Sequence, residues 1–275
     1  MPARIGHNAH LREVHRHLSV HYADAARQVE ALSSGQRVNR SSDDPASLAL
    51  ADGLDAETRA LVEGSRNVQQ SINMLQVAEG ALSQLNDMVQ RVQGLSIEAA
   101  TATYRDEDRI SIDAEFQALK QEIERIARAT TYNGLSLLDA EQRLTIQAGP
   151  TETGNDSFSI ALGDMRATGK RLDLASLSLA TASSAGVAMD RLHQAAAQVV
   201  SERNHIGSFQ NRLELSASTA ATAIERMRTS ESAVRDVELA RSVTEMARAQ
   251  ILTQAAGSLA VQARADSQQV LSLLR

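Results

Sequence analysis

Residues 32–46 read Leu32-Ser33-Ser34-Gly35-Gln36-Arg37-Val38-Asn39-Arg40-Ser41-Ser42-Asp43-Asp44-Pro45-Ala46, and they separate two helical segments. Gly35 is a suitable left-handed C-cap for the first helix, since glycine tolerates a positive φ. Asp44 and Pro45 suit the N-cap and first position of the second helix. The polar residues between these signals form a linker. The stretch therefore predicts a fold of helices that are separated by short, defined breaks.

The segment before the linker has an apolar residue at every third or fourth position. These steps approach the 3.5-residue period of a coiled-coil seam. The seam consists of Leu11, Val14, Leu18, Tyr22, Ala25, Val29 and Leu32. We therefore predict an N-terminal helix that packs lengthwise against another helix.

The segment after the linker predicts a much longer helix that reaches about Ala100. Gly53 and Gly64 are the positions at which that helix is most easily broken. A polar turn follows at residues 101–108, and a third helical stripe then runs from Ile110 to Ile126. The sequence Tyr132-Asn133-Gly134 is a strong turn signal.

The middle of the chain changes from helical to alternating periodicity. Leu144, Ile146 and Ala148 alternate with polar residues, and so do Phe158, Ile160 and Leu162. The turn-forming residues 149–156 lie between these two runs. The pattern predicts a β-hairpin near residues 142–162, which is the only strand-like region of the sequence.

The C-terminal part of the chain predicts a long helix from about Ala185, a polar interruption from Thr229 to Asp236 and a final helix. The final helix has apolar residues on more than one side, as in Ile251-Leu252 and Leu259. Such a helix requires several neighbours. We predict a mainly α fold, a bundle and coiled coil of long helices with a small central β-hairpin.

The composition excludes several classes of function. A net charge of −6 argues against a general nucleic-acid binder, which normally presents a basic face. No apolar run is long enough to predict a membrane span. Aromatic residues make up only 2% of the chain, which is poor material for a deep ligand pocket. No catalytic constellation or phosphate-binding loop has a convincing context, so we predict no enzyme activity and no cofactor.

Two polar clusters need separate interpretation. Five of the seven histidines lie within the first 21 residues, and His17 and His21 are one helical turn apart. Because no third ligand is evident, we predict an exposed helix face and no metal site. Protonation of this cluster near pH 6 is a further hypothesis, since it would add charge to a crowded assembly. Asp43-Asp44 is better explained by helix capping than by a metal or acid–base pair.

The order of motifs resembles that of the bacterial flagellins. Residues 32–46 resemble the N-terminal signature of this family, and the resemblance covers roughly residues 1–135 and 185–275. The other matching motifs are Ser65-Arg66-Asn67, Ala78-Glu79-Gly80-Ala81-Leu82, Gln90-Arg91-Val92, Tyr132-Asn133-Gly134, Ala247-Arg248-Ala249-Gln250-Ile251-Leu252 and Val270-Leu271-Ser272-Leu273-Leu274-Arg275. The start, Ile5-Gly6-His7-Asn8, and Gln36 depart from the family pattern. The variable outer domains of many flagellins are absent, as in the short, core-only members.

The resemblance implies a division into an inner coiled coil, D0, and an outer helical rod, D1. Residues 1–43 would supply the N-terminal D0 helix and linker, residues 44–235 the D1 rod with its hairpin, and residues 236–275 the C-terminal D0 helix. It also implies a non-enzymatic subunit that polymerises with other copies of itself. The expected polymerisation residues of the terminal coiled coil are Leu11, Val14, Leu18, Val29, Leu32, Val243, Met246, Ile251, Leu252, Leu259, Leu271 and Leu274.

The same resemblance implies particular partners and a location. The partners would be the filament cap, the hook-junction proteins and a flagellar export chaperone that binds the C-terminal helix. Toll-like receptor 5 would contact Arg91, Leu95 and Glu115, although solvated helix charges and a partly buried leucine explain these residues equally well. The location would be the extracellular flagellar filament or a periplasmic flagellum. Export through the flagellar channel would explain the missing signal peptide.

Two alternatives remain open from the sequence. One is an axial protein of the hook–filament junction, which shares the terminal helices of flagellins. The other is a flagellin-like cell-surface binding protein with no role in motility. A protease insertion of the kind that some flagellins carry is not expected, because the sequence contains no His-Glu-x-x-His motif.

Overall fold

The structure is a computed structural model that describes residues 9–151, 154 and 156–273. Within these residues the chain forms five α-helices and two small antiparallel sheets, which confirms the predicted mainly α fold with a small hairpin. The elements are α1 Ala9–Ser34, α2 Pro45–Ala100, α3 Asp106–Ala129, β1 Thr131–Tyr132, β2 Leu135–Ser136, β3 Gln142–Gln147, β4 Ser157–Leu162, α4 Ala182–Arg235 and α5 Leu239–Leu273. None of these helices has the length and apolarity needed to cross a membrane.

The chain divides into two compact units. The terminal unit contains the described residues up to Ala56 together with those from Arg226 onward, and the central unit is Glu57–Glu225. The points of division lie inside α2 and α4, whereas the sequence placed them at the linkers. The first turns of α2 and the last turns of α4 therefore belong to the terminal unit.

The predicted helix caps around the first linker are confirmed. Gly35 has a φ of +74°, the left-handed conformation that ends α1. Asp44 caps α2, because its Oδ1 accepts a hydrogen bond from the backbone N–H of Ser47 at 3.1 Å. Asp43 accepts the backbone N–H of Arg40 at 3.0 Å and so holds the linker turn. The two carboxylates therefore act as caps and turn anchors.

The first linker also pairs with the break between α4 and α5. The backbone N–H of Arg37 donates to the carbonyl of Arg235 at 2.7 Å, and Val237 N–H donates to Gly35 at 3.0 Å. The guanidinium of Arg37 donates to the carbonyl of Val234 at 2.6 Å. Carbonyls at a helix C-terminus lack partners within the helix, so these bonds close the end of α4.

The predicted interruption from Thr229 to Asp236 is wrong, because α4 continues to Arg235. This stretch is polar but contains neither glycine nor proline, and polar residues on an exposed face do not end a helix. The possible breaks at Gly53 and Gly64 are likewise absent, since α2 is continuous.

The core of the central unit is made of large apolar side chains from α2, α3 and α4. Phe116 and Ile123 of α3 are fully buried in it, whereas Ile110 of the predicted α3 stripe is 61% exposed. The buried residues of α2 and α4 include Val68, Leu75, Leu82, Leu85, Val89, Leu95, Leu192, Val199, Ile206 and Leu213. These residues recur at helical spacing, so each helix turns one continuous stripe toward the core.

The predicted hairpin is confirmed as β3 and β4, but it is not the only strand-like region, because β1 and β2 form a second small sheet on either side of the Asn133-Gly134 turn. The antiparallel register of β3 and β4 pairs Leu144 with Ile160 and Ile146 with Phe158, which places these apolar side chains on one face. The loop after β3 lies against α2, where a Cβ on Gly64 would fall 2.1 Å from the carbonyl oxygen of Ala148. A glycine is therefore required at this point of close approach.

The irregular residues 163–181 complete the core, a role that the sequence did not predict. Met165, Leu172, Leu174 and Leu179 from this segment are almost fully buried. The buried carboxylate of Glu202 anchors its start, where it accepts the backbone N–H of Gly163 at 2.8 Å and Arg171 Nη1 at 2.6 Å.

Candidate self-assembly surface

The contact between α1 and α5 uses small side chains on α5. Among the α5 residues whose burial the structure describes, the buried ones are Ser242, Ala249, Ala256, Ala260 and Ala263. Their spacing of three, four or seven residues places them on one side of the helix. Small side chains allow two helices to approach closely, but each of them buries little apolar area.

A polar interaction fixes how α1 lies along α5. The side-chain amide of Gln28 donates to Glu245 Oε2 at 3.0 Å, and its oxygen accepts the hydroxyl of Ser242 at 2.6 Å. Both ends of the Gln28 amide are therefore satisfied by α5. A shift of one helix along the other would break both bonds, so this group sets the register of the pair.

Several large apolar side chains of α5 stay exposed when α5 packs against α1. Ile251 is 65% exposed and Val261 is 68% exposed, and four more residues of the same kind are exposed. These four are Leu239, Val243, Leu252 and Leu259. At 100° per residue, the six positions cover several sides of the helix. Val20, Tyr22 and Val29 extend the exposed apolar surface onto α1.

The predicted polymerisation residues thus fall into two groups. Val14 is buried, and four others are half-buried, namely Leu11, Leu18, Leu32 and Met246. Five are exposed, namely Val29, Val243, Ile251, Leu252 and Leu259. Leu271 lies in α5, but its side chain is outside the description, and Leu274 lies outside the described residues.

The seam that the sequence predicted on α1 therefore contains fewer buried residues than expected. Tyr22 and Val29 are 60% and 51% exposed, although the heptad pattern places them with Val14. At 100° per residue, Tyr22 and Val29 lie about 80° and 60° around the helix from Val14, so a contact centred on Val14 leaves them at its edge. The remaining positions face solvent in the isolated subunit.

The three predicted receptor residues do not share one surface. Arg91 Nη2 and Glu115 Oε1 form an exposed ion pair at 2.7 Å that links α2 to α3. Leu95 is 1% exposed and belongs to the core of the central unit. The structure therefore presents Arg91 and Glu115 to solvent and buries Leu95 in the core.

Asp44 and Lys120 are two titratable groups whose pKa values are shifted by their surroundings. The pKa of Asp44 lies below its usual value because the hydroxyl and backbone N–H of Ser47 donate to its carboxylate. The pKa of Lys120 is lowered by partial burial next to the Phe116 ring. Within the residues that the structure describes, no three histidine, cysteine, aspartate or glutamate side chains are grouped for metal binding.

Comparison with known proteins identifies the family of the terminal helices. The bacterial flagellin N-terminal helical region matches residues 5–143, and the bacterial flagellin C-terminal helical region matches residues 189–274. These two matches include α1, α5 and most of the central unit. The exposed apolar surface therefore lies within the two segments that match the flagellin family.

Full-length relatives agree with these matches. The flagellin of Halalkalibacterium halodurans is 33% identical over 98% of this chain and 99% of its own. The flagellin of Bacillus subtilis is 33% identical over 99% of this chain and 100% of its own. Flagellin FlaB2 of Treponema pallidum is 32% identical over 98% of this chain and 99% of its own.

A solved structure from Vibrio parahaemolyticus, provisionally assigned as a flagellar hook-associated protein, is similar in fold only. It is 13% identical with a TM-score of 0.58, over 70% of this chain and 99% of that chain. This likeness does not favour the junction-protein alternative over a flagellin. The chain belongs to the bacterial flagellin family and is a structural subunit of the flagellar filament.

Proposed function

We propose that copies of this subunit join through the outward apolar side chains of α1 and α5. In this proposal the terminal helices correspond to D0, at residues 1–43 and 236–275, and residues 44–235 to D1. The observation that carries it is the exposure of Ile251, Leu259 and Val261 on a helix whose small residues face its own chain. Large exposed apolar patches on a soluble protein are typical of interaction sites.

The half-buried residues have a different role in this proposal. Leu11, Leu18, Leu32 and Met246 hold α1 and α5 together with the buried Val14. The exposed group, Val29, Val243, Ile251, Leu252 and Leu259, then contacts neighbouring copies. Leu271 and Leu274 remain predicted members of the assembly contact.

The magnitude of burial supports assembly. Fully burying one large apolar side chain contributes about 1.5–3 kcal/mol. Six such residues on α5 alone are available in each subunit. Association has to overcome a large loss of translational and side-chain entropy, which the repetition of the contact in a polymer offsets. A contact that joins different faces of two copies without closing into a ring extends as an open helical array.

Point variants of the full chain test this proposal. We expect I251Q together with L259Q to abolish sedimentable polymer after salting-out, because both side chains lose their apolar contact with neighbours. The control is L215Q on α4, where the side chain is 70% exposed but lies in the central unit. Electron microscopy of the pellets identifies filaments. Normal filaments from the double variant would contradict the proposal.

The exposed apolar side chains of α5 also suit the binding of a chaperone before assembly. A flagellar export chaperone would cover Ile251, Leu252 and Leu259 in the cytoplasm and leave them free after export. Co-expression with the chaperone of the producing bacterium tests this, since the I251Q and L259Q double variant should no longer copurify. Equal copurification of the variant would place the chaperone elsewhere. The filament cap and the hook-junction proteins would then contact the same helices at the two ends of the polymer.

The proposed location is the flagellar filament outside the cell or in the periplasm. Relatives occur in Bacillus subtilis and in Treponema pallidum, so the family likeness is compatible with either place. Immunogold labelling of thin sections from the producing cell distinguishes the two. Label on free filaments supports the extracellular location, and label between the membranes supports the periplasmic one.

Recognition by Toll-like receptor 5 is a separate proposal. The exposed pair of Arg91 and Glu115 would contact the receptor, and the buried Leu95 would hold α2 in position. We expect R91A to weaken the response of receptor-reporter cells to pure subunit without changing its helix content. An unchanged response would remove Arg91 from the contact, and no response to the native subunit would remove the proposal.

A further inference from the structure

Two histidines on α1 stand one turn apart with their rings stacked. The ring centroids of His17 and His21 are 6.5 Å apart, and the ring planes differ by 24°. His17 is exposed and His21 is half-buried. Among the described residues, neither ring makes a hydrogen bond or an ion pair. Both imidazoles are thus available on the same side of one helix.

This spacing matches the needs of a metal ion. Side chains four residues apart lie next to each other on a helix surface, so modest rotations bring two ring nitrogens to one point. Neutral imidazole is a preferred ligand of Zn²⁺ and its neighbours, with metal–nitrogen distances of about 2.0–2.1 Å. The sequence alone predicted no metal site at these residues, but the rings lie side by side in the structure, and we propose that His17 and His21 form a two-imidazole binding site for a divalent transition-metal ion of the zinc class.

The surroundings decide what kind of site this is. The carboxylates one helical turn away on α1 already have partners, since Glu13 pairs with Arg16 and Asp24 pairs with Arg27. No third ligand is grouped with the two rings within the described residues. Water therefore occupies the remaining coordination positions, and the ion exchanges readily. The site differs in this respect from a closed structural zinc site, which has four protein ligands.

Metal binding at this site is coupled to the helix. Residues 17 and 21 are adjacent only when the chain between them is helical, so an ion that binds both of them favours the helical state of α1. The His17–His21 site belongs to the single subunit and is independent of the surfaces that join copies in the filament.

Titration of the full-length subunit with Zn²⁺ by calorimetry tests the site. We expect one saturable Zn²⁺ per chain, with binding at least about tenfold weaker in H17A and in H21A, because each variant loses the chelate. The matched control is H15A, which removes an exposed histidine of the same helix that has no histidine four residues away. This control should bind as the native chain does.

Helix content measured by circular dichroism provides an independent readout. Because α1 is already helical, Zn²⁺ should raise the temperature at which the native chain and H15A lose their helix signal, but not that of H17A or H21A. Three outcomes would overturn the proposal: no saturable binding to the native chain, unchanged binding by H17A and H21A, or an equal loss in H15A. The last two would assign the ion to another place or to the histidine-rich segment as a whole.

Discussion

The central and terminal units use their apolar residues in opposite ways. In the central unit the largest side chains, such as Phe116, Leu82 and Leu85, are fully buried. In the terminal unit α5 buries alanines, and its largest side chains, such as Ile251 and Val261, are more than half exposed. The difference teaches that the central unit buries its large apolar side chains within the subunit, whereas the terminal unit leaves many of them exposed.

The terminal unit leaves apolar side chains exposed because the α5 residues in its contact with α1 are small. Burial stabilises in proportion to the apolar area removed from water, and alanine offers little of it. The pairing of α1 and α5 is therefore weak relative to the core of the central unit. In the proposed assembly, neighbouring copies cover the side chains that the pair leaves exposed.

The largest expected effect comes from creating a cavity in the core of the central unit. We expect F116A to lower the free energy of unfolding by about 3–5 kcal/mol, because it removes a fully buried ring. The control I110A lies on the same helix at a side chain that is 61% exposed and should cost about 0.5 kcal/mol or less. Urea unfolding measures both. Equal losses would mean that the two sites do not differ in burial.

A second test concerns the close approach of α2 and the loop after β3. We expect G64A to destabilise by about 1–3 kcal/mol, because its Cβ would overlap the carbonyl oxygen of Ala148. G80A on the same helix has open space around its Cβ and should stabilise by about 0.5–1 kcal/mol. The opposite signs are measurable by thermal unfolding. A neutral G64A would show that the loop moves away without cost.

A third test compares two neighbouring alanines of α5. Ala256 is 8% exposed, whereas Ala255 is exposed. We expect A256L to force α1 away from α5 at a local cost of about 1–3 kcal/mol, and A255L to leave the contact unchanged. Hydrogen exchange of the amides of α1 reports the loosening. Equal exchange in the two variants would show that the alanine face is not the contact.

The smallest expected effect is on pH dependence at the start of α2. The pKa of Asp44 is lowered by its bonds with Ser47, so its cap is fully effective above the unfolded pKa of about 3.9 and is lost as the pH falls through the folded pKa. We expect D44N to reduce the stability difference between neutral and acidic pH. D87N, at an exposed position within α2, is the control. Thermal unfolding at several pH values makes the comparison.

Much of this fold could be predicted from periodicity and end signals. Gly35, Asp44 and Pro45 fixed the break between α1 and α2, since each has a distinct backbone or capping role. The alternation of apolar and polar residues at Leu144 and Ile146 predicted the hairpin. These features are local, so the sequence carries them without knowledge of the neighbours.

The features that the sequence did not predict depend on contacts between distant residues. Glu202 is a buried carboxylate whose partners, Gly163 and Arg171, are far away in the chain. Leu95 turned out to be core because α2 presents that side to the other helices of the central unit. The side of α5 that faces α1 could not be predicted from the sequence. Its own apolar residues lie on several sides of the helix, so periodicity alone does not distinguish them.

The central claim is that the exposed side chains of α5 are covered by other copies in the polymer. A filament structure determined by electron cryomicroscopy tests it most directly, through the exposed fractions of Ile251, Leu259 and Val261. We expect all three to be buried against neighbouring subunits, while Ala256 keeps its contact with α1. If the three side chains remain in contact with solvent in the filament, the claim is contradicted.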